Sequence, residues 1–326
     1  GPGTIAPGGV GGRDPDFYSA IHVQSTEGVQ VSGRLRVKCT AWWWCTVLHN
    51  ASDVHVSGLF VDGSGGRDGM DLVNCRRVLL EDSLIEGSDD ALCFKTIKNN
   101  GLASFPSHDI TVRRSRISST WCNAIQFGSA TEVDMSNFTF ADIEIKSARK
   151  SAIGVVTMDG ANITNVAFSN ITISGWNVAT PLYVKVGNRV ECEDNKGSCF
   201  WPGSIALLSF RGVKAIGWGN ASDPKPGHRP SYTATIEGLN ATHRRVGPLR
   251  FEALTLSAPG GGEANDSWVD PPHKPLDYQP RLAECGRPSV CSFGTLTTLQ
   301  WSVQTSALGA EVRMAALRLW LTRWPG

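Results

Sequence analysis

Apolar residues recur along this chain at i, i+2, i+5 and i+7. Val54, Val56, Leu59 and Val61 follow the pattern. So do Phe138, Phe140, Ile143 and Ile145, then Val166, Phe168, Ile171 and Ile173, and finally Leu249, Phe251, Leu254 and Leu256. Val78-Leu80-Ile85 and Ile110-Val112-Ile117 keep the spacing with a Ser at the third site. Five repeats in a row thus start at Val54, Val78, Ile110, Phe138 and Val166, a nearly regular step. Alternation with period two marks a strand, and the break in phase marks a corner. Two short strands and a corner, repeated every roughly 20 to 30 residues, predict a solenoid of β-coils. A two-sheet sandwich also has short strands, but it does not place turn residues so regularly on one side.

Polar positions repeat on the same scale. Gly66-Arg67-Asp68-Gly69-Met70-Asp71-Leu72 is followed, one such repeat later, by Gly87-Ser88-Asp89-Asp90-Ala91-Leu92-Cys93-Phe94-Lys95. If each repeat is one coil, Asp68, Asp89 and Asp90 stack on neighbouring strands about 4.8 Å apart. Glycoside hydrolysis requires a carboxyl that donates a proton and a second that activates water. Crowded carboxylates raise one another's proton affinity, which keeps one protonated as the acid. Trp42, Trp43 and Trp44 lie one coil earlier. Side chains alternate along a strand, so at least one faces out, and aromatic faces suit sugar C–H surfaces.

Apolar residues make up 41% of the 326, and the formal net charge is +1, which predicts a folded chain and argues against nucleic acid as a partner. No apolar run reaches the roughly 18 residues of a membrane span. The nine cysteines leave at least one without an internal partner. Cys192 with Cys199 and Cys285 with Cys291 flank polar loops and read as loop-closing disulfides, whereas Cys75, Cys93 and Cys122 fall on β-coil positions and read as buried small residues. Seven Asn-x-Ser/Thr sequons, at Asn50, Asn137, Asn162, Asn170, Asn220, Asn240 and Asn265, together with the paired cysteines predict a secreted glycoprotein. The competing explanation is that β-helix turns favour Asn while its strands favour Ile and Thr.

Residues 1–300 read as one β-helix domain and 301–326 as a tail of separate character. Residues 187–203, 217–233 and 258–290 are rich in Gly, Pro and polar residues and read as surface loops. Ala310 to Leu321 has helical character and would be either a cap over the solenoid end or sequence foreign to the domain. The start, Gly1-Pro2-Gly3-Thr4, suggests a fragment or processed form lacking N-terminal coils.

Asp68-Gly69-Met70-Asp71-Leu72 resembles the Asn-Thr-Asp-Gly-Ile-Asp-Ile motif of the polygalacturonase family, family 28 of the glycoside hydrolases. Ser88 to Lys95 is similar to its Gly-Asp-Asp-Cys-Ile-Ala-Ile-Lys, and Cys122 to Ser129 stands where the family has Gly-His-Gly-Ile-Ser-Ile-Gly-Ser. The resemblance covers roughly residues 28–290 and points to a divergent branch. It implies an all-β, single-stranded right-handed parallel β-helix (a pectin-lyase-like solenoid) and inverting hydrolysis of a pectin-related polysaccharide of the cell wall. No cofactor or metal is implied, and a monomer is expected. Asp89 would be the general acid, with Asp68 and Asp90 holding and activating water. Asn123 occupies the position of the family His. The family's Arg-Ile-Lys should fall near Gly154-Val155-Val156, where no basic residue stands, so Lys185 or Arg189 would take over substrate binding with Asn123 and Trp44. Two other readings stay open. One is a β-helix that binds glycan without cutting it. The other is a polysaccharide lyase using Ca²⁺ held by the three aspartates, although no Arg or Lys stands out beside them.

Overall fold

The structure is a computed structural model. It describes residues 3–5, 19–39, 44–98, 104–175, 178–187, 203–216, 234–237, 246–258, 304–306 and 309–314. Strands of successive coils pair in parallel and in register, as in Phe138↔Val166↔Leu208↔Leu249. The architecture is the expected right-handed parallel β-helix, with each coil contributing to three faces. The first two apolar positions of each repeat lie on one face and the last two on the next, while an eight-stranded sheet forms the third. Long strands such as Ser107–Ser119, Met135–Ile145 and Asn162–Ile173 run through the first corner without a break.

That corner explains much of the sequence. Its two bends require positive φ, which Asn and Asp tolerate best among residues with a side chain. One column of such residues is Asp53, Arg77, Asp109, Asn137 and Asn165; the other includes Asp82, Arg114, Asp142 and Asn170. Their side chains stack as surface ladders. Arg77 donates twice to Asp53 at 2.6 and 2.5 Å, Asn137 donates to Asp109 at 3.0 Å, and Asn165 donates to Asn137 at 2.8 Å. Arg114 clasps Asp82 at 2.9 Å, and Asn170 donates to Asp142 at 2.5 Å. Two sequon asparagines, Asn137 and Asn170, are thus accounted for by corner geometry. The Ser at the third apolar site has a similar reason. Ser83 Oγ accepts from Leu59 N at 3.1 Å, and Ser115 Oγ accepts from Ser83 N at 3.2 Å, so both buried hydroxyls satisfy backbone groups at the bend.

Inside the coil, identical positions stack. Phe140, Phe168, Phe210 and Phe251 lie ring on ring with centroids 4.7, 5.1 and 5.4 Å apart, each pair adding about 0.5–1.5 kcal/mol beyond its area burial. Cys75, Cys93 and Cys122 are buried and free, as expected. A disulfide that the sequence reading did not anticipate joins Cys39 to Cys45. Cys192, Cys199, Cys285 and Cys291 lie outside the described residues, as do Trp42, Trp43, Arg189, Asn220, Asn240 and Asn265 and most of the three expected loops.

One expectation is corrected. Helix was expected from Ala310, but Gly309–Met314 is a strand, paired antiparallel to Leu254–Ala258 and to Gln304–Ser306. The last parallel strand of a solenoid presents unpaired N–H and C=O groups. An antiparallel strand satisfies them directly, whereas a helix could only cover them.

Candidate active site

The acids sit where the second face turns into the third, and glycines make that turn tight. Gly63 and Gly87 are in register. A Cβ on Gly63 would strike the Glu86 carbonyl, and one on Gly87 would strike the Asp90 carbonyl. Backbone bonds then stack four turns along the axis. Ser88 N and Asp89 N both donate to Arg67 O at 2.9 Å, Trp121 N donates to Ser88 O at 2.9 Å, and Lys150 N donates to Cys122 O at 2.9 Å. Residues 67–68, 89–90, 121–123 and 149–151 therefore form one edge of the helix, with neighbours separated by about one strand spacing.

Asp68 and Asp90 are buried, and Asp89 is half-buried. Asp68 Oδ2 lies 2.5 Å from Lys95 Nζ, and its Oδ1 accepts from Asp90 N at 3.3 Å. Lys95 also pairs with Asp71 and lies 3.9 Å from the ring centre of Trp44. Asp90 Oδ1 accepts from Asn123 N at 2.9 Å and Asn123 Nδ2 at 2.7 Å, while Asn123 Oδ1 accepts from Ser151 N at 3.0 Å and Ser151 Oγ at 2.6 Å. Asp89 Oδ2 accepts from Arg67 at 3.2 Å through Nη2 and 3.4 Å through Nε. Carboxylate oxygens of Asp89 and Asp90 come within 4.8 Å of each other and of Cys122 Sγ.

These surroundings separate the two neighbouring acids. Burial, reinforced by the charges of Asp68 and Asp89, pushes the Asp90 carboxyl up to about 6. Burial also acts upward on Asp89, but a hydrogen bond with Cys122 and the cations Lys150 and Arg67 outweigh it, so Asp89 lies below its ordinary value. Burial holds Asp71 well above the ordinary carboxylate range against the opposing pull of Lys95. Burial would lower Lys95, but Asp68 and Asp71 overcome it and hold the ammonium well above its usual value. Each of two acid–cysteine groups, Asp68-Asp71-Cys93 and Asp89-Asp90-Cys122, has ligand atoms close together. In the first, the Lys95 ammonium already bridges both carboxylates. In the second, burial raises the Cys122 thiol, which disfavours the thiolate a metal would need.

Of the residues singled out from sequence, Asp68, Asp89, Asp90, Asn123 and Trp44 are brought together. Trp44 serves as the half-buried cover of Lys95, held next to the Cys39–Cys45 disulfide. Lys185 belongs to Val178–Val186, in register with Val156 and Glu237. The order of the third sheet puts it three strands beyond Lys95, or about 14 Å. The expectation that no Arg or Lys stands beside the acids is overturned: Lys95 touches Asp68, Arg67 touches Asp89, and Lys150 acts on Asp89 and Asp90. Arg67 and Lys95 lie inside the two acid motifs themselves. The signal for Lys95 was its place two positions after Cys93, on the same side of the strand.

No family model matches the chain, and no curated protein matches it. Among solved structures it is similar to a hyperthermoactive exopolygalacturonase from Thermotoga maritima, at 16% identity and a TM-score of 0.43 over 72% of this chain. The match covers 52% of that protein, so the chain spans about half its length.

Proposed function

We propose that this protein is a secreted glycoside hydrolase that cleaves a pectin-related polysaccharide with inversion. The observation that carries the reading is the buried Asp68–Asp90 pair beside the more accessible Asp89, with the Asp90 carboxyl pushed up to about 6. Asp89 and Asp90 lie close enough for their charges to interact, so proton affinity belongs to the pair. Asp89, facing solvent, is the member that delivers the proton to the leaving oxygen. Inverting enzymes separate acid and base by roughly 6.5–9.5 Å to admit water. Asp89 and Asp90 alone are too close for that, so Asp68, one coil away, completes the water site. Arg67 holds Asp89 in the free protein, and a bound glycan that displaces it would remove one of the groups that lower the acid's proton affinity. The Cys39–Cys45 disulfide supports action in an oxidising compartment.

The test is reducing-end release from a panel of pectic polysaccharides, for wild type and Asp89→Asn, with and without chelator. Release should vanish in the variant and ignore chelator. Turnover unchanged by Asp89→Asn would sink the acid assignment. Release that needs the metal and yields unsaturated ends would mean a lyase. A second reading, glycan binding without cleavage, is favoured by the cations already paired to Asp68 and Asp89. Binding with no release from any polysaccharide would establish it.

A further inference from the structure

Two buried thiols stand beside the acids, and the hydrolase reading gives neither a role. Cys122 is bolted to Asp89 through Ser119: Cys122 N donates to Ser119 Oγ at 2.9 Å, and that hydroxyl donates to the Asp89 carbonyl. This puts Cys122 Sγ within 4.8 Å of carboxylate oxygens of Asp89 and Asp90, and the thiol hydrogen-bonds Asp89. Cys93 lies on the strand Leu92–Thr96, in register between Asp71 and Gln126. Its thiol donates to Asp90 Oδ2 at 3.5 Å, while Asn123 holds the other oxygen, Oδ1. Neither cysteine is in a disulfide. Burial raises both thiols, so each remains an uncharged S–H donor wherever carboxyls titrate. A donor to a carboxylate favours its charged form and fixes which way the group points. An S–H is a weak donor, so the effect on each acid is small, but its direction is set.

We propose that Cys122 and Cys93 are positioning residues, one uncharged donor for each of the acids Asp89 and Asp90. The inference deepens the hydrolase reading and rests on it. The family motifs have Gly at position 122 and Ala at position 93, side chains with nothing to donate, so these contacts are this chain's own. When a glycan displaces Arg67, Cys122 still holds Asp89 from the buried side. The charges around the two acids and their thiols are those of Asp68, Asp71, Arg67, Lys95 and Lys150, and replacing a neutral thiol alters none of them.

The first measurement is the pH profile of kcat/KM for reducing-end release from pectic polysaccharides. Both limbs belong to the coupled pair, so the direction of movement is what counts. Cys122→Ala and Cys93→Ala should each move the profile toward higher pH by about 0.4 unit and lower kcat roughly two- to threefold. Cys122→Ser and Cys93→Ser, which keep a donor, should hold the profile near wild type. Cys75→Ala is the control, since that buried thiol bonds Leu48 O at 3.2 Å instead of an acid, and it should leave the profile in place. The second measurement needs no variant: infrared S–H stretches of wild type between pH 8 and 4. The Cys93 and Cys122 stretches should move as the pair takes up protons, while that of Cys75 should not. A profile unmoved by both Ala variants, an equal movement from Cys75→Ala, or S–H bands indifferent to pH would overturn the assignment. The two proposals fail separately. Bands that follow the titration in a wild type that releases no reducing ends would retain the thiol–acid contacts and lose hydrolysis. Asp89-dependent release with profile and bands unmoved would retain hydrolysis and lose the positioning role.

Discussion

Two regions of the same solenoid handle polar residues in opposite ways. Along Asn162–Ile173 burial alternates, and Asp, Asn and Arg at the bends stack in water. Along Met70–Val73 and Leu92–Thr96 every position is buried, including Asp71 and Lys95. The surface ladders follow from the fold: the bends need positive φ, and short polar side chains supply it. The buried cluster, on the outer side of the third sheet opposite Met70, Leu72, Leu92 and Phe94, does not follow from the fold, because the solenoid itself is filled with stacked Phe, Ile and Val. Burying carboxylates and an ammonium costs several kcal/mol per ion before their attraction offsets it. A fold that can do without such groups and still holds them in one place is where the hydrolase proposal puts its chemistry.

The sharpest way to break this comparison is to remove the cluster's cation. Lys95→Met should leave Asp68 and Asp71 buried without their counter-charge and lower stability at pH 7 by ~3–5 kcal/mol. Chemical denaturation would read it. The loss should shrink toward pH 4, where the Asp71 carboxyl, held well above its usual range by burial, accepts a proton in place of the ion pair. An unmoved midpoint would mean that the cluster is hydrated and carries no interior cost.

Asp90 offers a smaller effect with a definite sign. Its folded value of about 6 lies above the unfolded 3.8. The folded state therefore binds the proton more tightly, and the stability this confers is complete below about 3.8 and lost as pH rises through 6. Asp90→Asn keeps an oxygen for Asn123 to donate to and removes the charge. The variant should gain on the order of 2–3 kcal/mol over wild type at pH 8 and almost nothing at pH 4, while losing turnover at both. A pH-independent difference would show that charge is not what strains this position.

Much of this could be read in advance, for identifiable reasons. The i, i+2, i+5, i+7 pattern marked two faces of the coil because their outward positions are wet. The third face gave no alternation: in Leu92-Cys93-Phe94-Lys95 both sides are buried, so its strands came only from motif resemblance. Asp68, Asp89 and Asp90 were visible through their spacing. Their partners were not, because Lys95 reaches Asp68 across 27 residues and only register reveals it. Arg149 and Lys150 stood a little before Gly154-Val155-Val156, where the resemblance placed the missing cations. Cys39 and Cys45 flank a short segment much as Cys192 and Cys199 do. Trp44 within that segment drew attention as a binding aromatic, and its anchoring disulfide went unrecognised.

The smallest effect should come from the surface ladder. Arg77 and Asp53 bond at 2.5 and 2.6 Å yet are 43% and 40% exposed, and exposed pairs of this kind are screened by water and salt. Arg77→Met should lower the denaturation midpoint at pH 7 only slightly, far less than Lys95→Met does. That small loss should vanish in acid. Asp53 is drawn down to about 2, chiefly by the hydrogen bond from Arg77, from an unfolded 3.8. Whatever stability it supplies is present above 3.8 and lost as pH falls through 2, the reverse of Asp90. Arg77→Met should therefore flatten the wild-type decline between about pH 4 and 2 and leave a small deficit that does not change with pH on the alkaline side. If it costs as much at pH 7 as Lys95→Met, the ladder is as integral as the buried cluster, and burial no longer distinguishes a polar group kept for chemistry from one placed by a turn.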